Sequence, residues 1–125
     1  MENIKFSITK RLKSFKFAIN GLRILIMEEH NSRIHLFAML LAIILGFVFK
    51  IETYEWIGIL LSIGLVISME LLNSALENLA DFATKEKHDL IKKTKDLAAA
   101  AVLWSSLIAL SIGILIFSPK FIDLL

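Results

Sequence analysis

The chain has 125 residues, 57% hydrophobic and 21% charged, with a net charge of +2 and no cysteine. A mean hydropathy of +0.73 is too apolar for an ordinary soluble domain of this length and predicts one unit, residues 1–125, completed by a bilayer. A disulfide framework and thiolate chemistry are excluded, and a cleavable leader is not expected because the first apolar run starts beyond residue 30.

Residues 4–28 carry Ile4, Ile8, Leu12, Phe15, Ile19, Leu22 and Ile26 at steps of three and four. This is one apolar helix face, and Lys5, Thr9, Lys13, Lys16, Asn20 and Arg23 follow the same steps on a basic face. The pattern predicts an amphipathic helix lying among lipid headgroups; a basic soluble helix packed on a partner would carry it too. Glu28-Glu29-His30-Asn31-Ser32-Arg33 reads as a polar break. A first span is predicted over 34–50, with His35 at its start read as an interfacial residue. Tyr54 and Trp56 suit an aromatic belt and open a second span over 56–82. A polar loop over 83–96, with room for helical turns, follows, then a third span over 97–117 that Pro119 is expected to end. Ala98 to Ala101 are small enough to let helices approach closely.

Basic residues set the orientation. Lys5, Lys10, Arg11, Lys13, Lys16, Arg23 and Arg33 precede the first span, and Lys85, Lys87, Lys92, Lys93 and Lys95 lie between the second and third. Only Lys50 and Lys120 fall on the other side. The amino-terminal helix and the 83–96 loop are therefore expected in the cytoplasm. Because the basic residues flank spans in this way, they do not point to nucleic acid.

The chemistry concentrates in Glu70-Leu-Leu-Asn73-Ser-Ala-Leu-Glu77-Asn-Leu-Ala-Asp81. At about 100° per residue, Glu70, Asn73, Glu77 and Asp81 lie within roughly 80° of one helix face. Counting about 20 residues inward from Trp56 puts the membrane boundary near Ala75. Glu70 then lies about one turn inside the bilayer, where an ionisable residue is a functional candidate. Glu29, Glu77, Asp81, Lys95 and Asp96 gather on the cytoplasmic side. Two carboxylates with phosphate oxygens suit magnesium, Lys95 suits phosphate, and a partly desolvated Glu70 suits a general base for a hydroxyl. These parts fit phosphoryl transfer from a water-side nucleotide to a lipid alcohol, without a P-loop or a glycine-rich kinase loop. A small proton- or cation-coupled transporter using Glu70 as its relay, and a purely structural oligomer, are the alternatives from other classes.

Glu70-Leu-Leu-Asn73-Ser74-Ala-Leu-Glu77-x-x-x-Asp81, with His88 and Lys95-Asp96-x-Ala-Ala-Ala-Ala-Val, resembles the signature of the small bacterial integral-membrane lipid kinases, the prokaryotic diacylglycerol kinases and undecaprenol kinases. Gly21-Leu-Arg23 and Glu29-x-x-x-Arg33 extend the likeness upstream. The resemblance implies an all-α membrane protein, a homotrimer of three-span subunits each with an amino-terminal surface helix. Its active sites would lie at subunit boundaries in the bacterial plasma (inner) membrane, open to the cytoplasm.

The resemblance also implies ATP as co-substrate and Mg2+ as cofactor. Glu70 would be the proton acceptor and Glu29 and Glu77 the metal ligands. Nucleotide contacts would come from Lys10, Phe17, Glu29, Glu77, Asp81, Glu86, Lys87, His88, Lys95 and Asp96. Asn73, Arg23 and Ala99 would support the lipid or the catalytic carboxylate. His35 stands where the diacylglycerol-using members carry an acidic residue, which leans the expected substrate toward undecaprenol, with diacylglycerol next.

Overall fold

The computed structural model describes residues 7–125. Four helices follow one another: α1 Ile8–Glu28, α2 His30–Val48, α3 Thr53–Ala83 and α4 Asp89–Leu124. The last three are long and apolar enough to cross a membrane. The helix expected over 4–28 is α1, and residues 4–6 lie outside the described residues. Ser7 caps α1 by accepting from the Lys10 amide at 3.4 Å. Near its other end Leu25 is buried, whereas Ile8, Leu12, Phe15 and Ile19 stay exposed.

The polar break is narrower than its six residues suggested. Glu29 alone is extended, at φ −106° and ψ 109°, and α2 starts at His30. Arg33 makes this corner stable. Its Nε donates to the Ile26 carbonyl at 3.0 Å and its terminal nitrogen to the Met27 carbonyl at 2.8 Å. The orphan carbonyls at the end of α1 are thereby satisfied by a cation suited to a helix C-terminus.

Helix α2 ends at a tight turn rather than running to Lys50. Lys50 takes the left-handed conformation, φ 51°, and the Ile51 amide reaches back to the Gly46 carbonyl at 3.1 Å. This is the six-to-one bond of a Schellman stop, and Ile51 beyond it is buried. Glu52 and Glu55 form a capping box that restarts the chain as α3. Close packing here needs Gly46, since a Cβ on it would lie 2.6 Å from the Trp56 ring. Ile51, Ile59 and Phe117 form the core of this end, with Leu45, Phe49 and Trp56 against them.

The main partnership is the antiparallel pair α3–α4, joined by residues 84–88. Two expectations about α4 are corrected. The charged segment is not loop through residue 96: α4 begins at Asp89, because the His88 side chain caps the Leu90 amide at 3.1 Å and Lys92 pairs with Asp96 one turn on at 2.6 Å. Nor does Pro119 end the helix, which continues to Leu124. One backbone hydrogen bond is lost there, but Lys120 Nζ donates to the Ile116 carbonyl at 3.0 Å and to Glu55 on α3 at 2.6 Å, tying the last turns down.

Candidate active site: a buried carboxylate beside a charged cleft

The polar stripe of α3 divides into two neighbouring places. The deeper is Glu70, 5% exposed. A carboxylate at that depth requires partners, and α2 supplies both. The Ser32 hydroxyl donates to Oε2 and His35 Nδ1 bonds Oε1. Ser32 and His35 are one turn apart, so one face of α2 presents both to α3. On its other side the imidazole faces α4, with Nε2 3.4 Å from Ser106 Oγ. The Ser106 hydroxyl itself donates to the Val102 carbonyl at 2.7 Å. Three helices thus meet in a buried polar network around Glu70.

His35 does more than the reading from sequence assigned to it. At the start of the first span it is a half-buried partner of the catalytic candidate, its side chain 27% exposed. The missed signal was the i,i+3 spacing of Ser32 and His35 in the polar start of α2. Asn73 does not bond Glu70. It is half-buried, and among the described residues its buried Oδ1 has no hydrogen-bond partner.

From this network a cavity of about 530 Å³ runs between α2 and α4 over α3 toward Phe117 and Phe121. Its walls are apolar for most of their length (Met39, Leu45, Val66 and Leu110 among them); His35 with Ser106 forms the end nearest Glu70, while Ser62 lies along the wall and Ser118 near the far end. Glu70 does not line it.

The second place is a cleft of about 750 Å³ where α3 meets α4 through residues 84–88. Asp81, Glu86, Lys87, His88, Lys95 and Asp96, six of the proposed nucleotide residues, all line it. Lys95 Nζ holds Asp81 at 2.6 Å across the helix pair. In this polar turn ahead of the apolar part of α4, the hydrogen bond to Asp81 keeps the Lys95 ammonium above the ordinary lysine range. Coulomb attraction to Asp81 and Glu77 adds to it, against partial desolvation. A fixed cation, with Lys85, Lys87 and Lys92 on the same walls, suits a polyphosphate.

Glu77 is half-buried on α3 between the two places. Glu29 is half-buried at the corner between α1 and α2. Lys10, Phe17 and Arg23 are exposed on α1, outside the cleft, and Ala99 is exposed on α4. Among the described residues no three His, Cys, Asp or Glu side chains are placed to hold a metal by themselves. The hard oxygens present, Glu77 with the unpartnered Asn73 Oδ1 one turn away, fit a cation that takes few protein ligands and completes its shell with water and phosphate, as magnesium does.

Residues 16–117 match the prokaryotic diacylglycerol kinase family. The chain is similar to an undecaprenol kinase of Bacillus subtilis (strain 168), 39% identical over 90% of this chain and 92% of the relative. It is similar also to a diacylglycerol kinase of Escherichia coli (strain K12), 30% identical over 87% of this chain and 89% of that one. A diacylglycerol kinase of Helicobacter pylori (strain ATCC 700392 / 26695) is 32% identical over 78% and 82%.

Proposed function

The chain belongs to the prokaryotic diacylglycerol kinase family and is a lipid kinase; from that premise we propose that it transfers the γ-phosphoryl group of ATP, with Mg2+, to the hydroxyl of a membrane lipid alcohol, undecaprenol in preference to diacylglycerol. One observation carries this reading. A single face of α3 leads from a buried carboxylate near an apolar cavity to a charged cleft open to water: Glu77 stands about 10 Å of helix rise from Glu70, and Asp81 on the cleft wall about 16 Å. A lipid hydroxyl arriving through the membrane and a triphosphate arriving through water would meet over that distance.

The residues divide the work. Glu70 accepts the proton of the lipid hydroxyl. Lys95, with Lys87 and His88 on the cleft wall, neutralises and orients the polyphosphate, and Asp81 sets the position of Lys95. Lys10 and Phe17 on α1 would reach the nucleotide only if α1 lies over the cleft of this subunit or of a neighbour. Glu29 and Glu77 would hold Mg2+, which supplies charge neutralisation between the phosphates. Transfer is direct and in-line, from ATP to the lipid oxygen. Phosphate trapped covalently on the protein would contradict this.

The setting is a bacterial plasma membrane, with α1, residues 84–88 and the charged start of α4 in the cytoplasm, as the lysine and arginine distribution favours. Exposed apolar residues along α1 fit the headgroup region. Those on α2 and α3, such as Leu41, Leu61 and Leu72, fit lipid or neighbouring copies in a homotrimer with shared active sites. A charged cleft of this kind is not needed by a proton or cation relay, so transfer is favoured over transport. The preference for undecaprenol rests on the 39% identity to the Bacillus enzyme against 30% to the Escherichia one. Purified protein given labelled ATP and both lipids in competition tests it: label enters undecaprenol first if the reading is right. Label confined to diacylglycerol reverses the preference, and label in neither lipid removes the function.

A further inference from the structure

Glu70 is buried, both its oxygens are engaged, and it does not line the apolar cavity; His35 does. We infer that His35 is a catalytic residue, the group that touches the lipid hydroxyl and passes its proton to Glu70. The inference rests on the lipid-kinase reading and deepens it.

The tautomer follows from the neighbours. With Nδ1 donating to the Glu70 carboxylate, Nε2 carries a lone pair and is the acceptor that points to the cavity end. Ser106 Oγ is the polar atom facing Nε2, at 3.4 Å, and its single hydrogen is already given to the Val102 carbonyl at 2.7 Å. Nε2 therefore has unused acceptor capacity at the polar tip of an apolar cavity. A long-chain alcohol is the ligand that matches both: its chain lies along Met39, Val66 and Leu110, and its one polar group reaches the imidazole. Glu70 is the ionisable side chain that the ring contacts from α3, Ser106 is its polar neighbour from α4, and Ser32 on α2 holds the far oxygen of Glu70.

The step balances. As the lipid O–H proton moves to Nε2, the hydroxyl oxygen forms a bond to the γ-phosphorus. The bond from that phosphorus to the β,γ-bridging oxygen breaks, and ADP leaves with the electron pair. The Nδ1 proton passes to Glu70, so the imidazole stays neutral. After the product leaves, Nε2 gives its proton to water at the cavity end and Glu70 returns its proton to Nδ1, restoring the starting tautomer. Glu70 is the acceptor reached through the ring and not by direct contact with substrate. The arrangement is a carboxylate that orients and stabilises an imidazole, a pairing that recurs where hydroxyls are activated.

The test uses the full chain in lipid vesicles with labelled ATP and undecaprenol or diacylglycerol. His35→Gln keeps size and can still bond Glu70, but it cannot relay a proton; kcat is expected to fall about 10²–10⁴-fold with the KM for ATP and for lipid within about twofold. His35→Ala opens a space beside Glu70, and added imidazole is expected to restore turnover in proportion to its concentration while doing nothing for Glu70→Gln. Should His35→Gln fail to fold, the imidazole titration of His35→Ala carries the test. A His35→Gln protein that keeps wild-type kcat, or a His35→Ala loss that imidazole leaves untouched, overturns the relay. Wild-type protein that phosphorylates neither lipid overturns the kinase reading itself, a distinct result.

Discussion

Helix α3 buries two carboxylates, Glu55 in its first turn and Glu70 just past its middle, and they are held in opposite ways. Glu55 is 7% exposed and Glu70 5%. Glu55 accepts from the Lys120 ammonium at 2.6 Å and from the Glu52 amide at 3.0 Å, inside a packed end built on Ile51, Ile59 and Phe117. Glu70 is bonded by a hydroxyl and an imidazole, at the polar end of a cavity. A lysine partner fixes a carboxylate as an anion and closes the account of its charge; an imidazole partner can exchange protons with it. Burial alone therefore does not mark the reactive residue. The nature of the partner and the open space beyond it do.

The sharpest way to break this contrast is to remove each charge in turn. Glu70→Gln is expected to lower phosphate incorporation into lipid by about 10²–10⁴-fold while leaving the melting midpoint close to wild type. Glu55→Gln should do the reverse. It leaves Lys120 without its anion in a partly buried site, so the melting midpoint falls while kcat stays within about twofold. Turnover assays and thermal melts on both variants decide it. If Glu55→Gln were the inactive one, the two carboxylates would have been assigned the wrong way round.

How much of this contrast was legible in the sequence follows from the range of the interactions. Glu70, Asn73, Glu77 and Asp81 share a face through helical period alone, so the stripe could be read without any partner in view. The cleft residues Asp81, Glu86, Lys87, His88, Lys95 and Asp96 lie within one short hairpin, and local spacing brings them together. His35 and Ser106 could not be found that way. The meeting of His35 with Glu70, and of Ser106 with His35, depends on how α2 and α4 rotate about their axes against α3, over separations of 35 and 71 residues. Glu55–Lys120 was invisible for the same reason, at 65 residues. Pro119 misled because a proline costs one backbone hydrogen bond, and the tertiary anchor at Lys120 holds the helix across it.

The closed end can be probed through its close contact. Gly46→Ala would place a Cβ 2.6 Å from the Trp56 ring, which also packs on Phe47 at 4.9 Å between ring centroids. Overpacking of this kind costs about 1–3 kcal/mol, read as a lower melting midpoint. Gly21→Ala on α1 meets nothing within 4 Å and should leave the midpoint unchanged or slightly raised, since alanine is the better helix former by about 1 kcal/mol. Equal effects at the two glycines would mean that the packed end is not what holds α2 to α3.

The smallest expected effect belongs to the charged cleft, where solvent screens each pair. Lys95→Met should raise the KM for ATP a few-fold, roughly fivefold, with kcat on saturating nucleotide less affected. The sign of its pH dependence follows from the Asp81 hydrogen bond, which raises the Lys95 pKa above its ordinary value. A raised lysine is fully cationic below its unfolded value and loses its charge only as pH climbs through the higher, folded one. The ratio of wild-type to Lys95→Met KM is therefore expected to be the same at about pH 6.5 and about pH 8.5. High salt should shrink it, because the pair is exposed. A ratio that changed across that pH range would mean that the Lys95 ammonium held by Asp81 is not what the nucleotide meets.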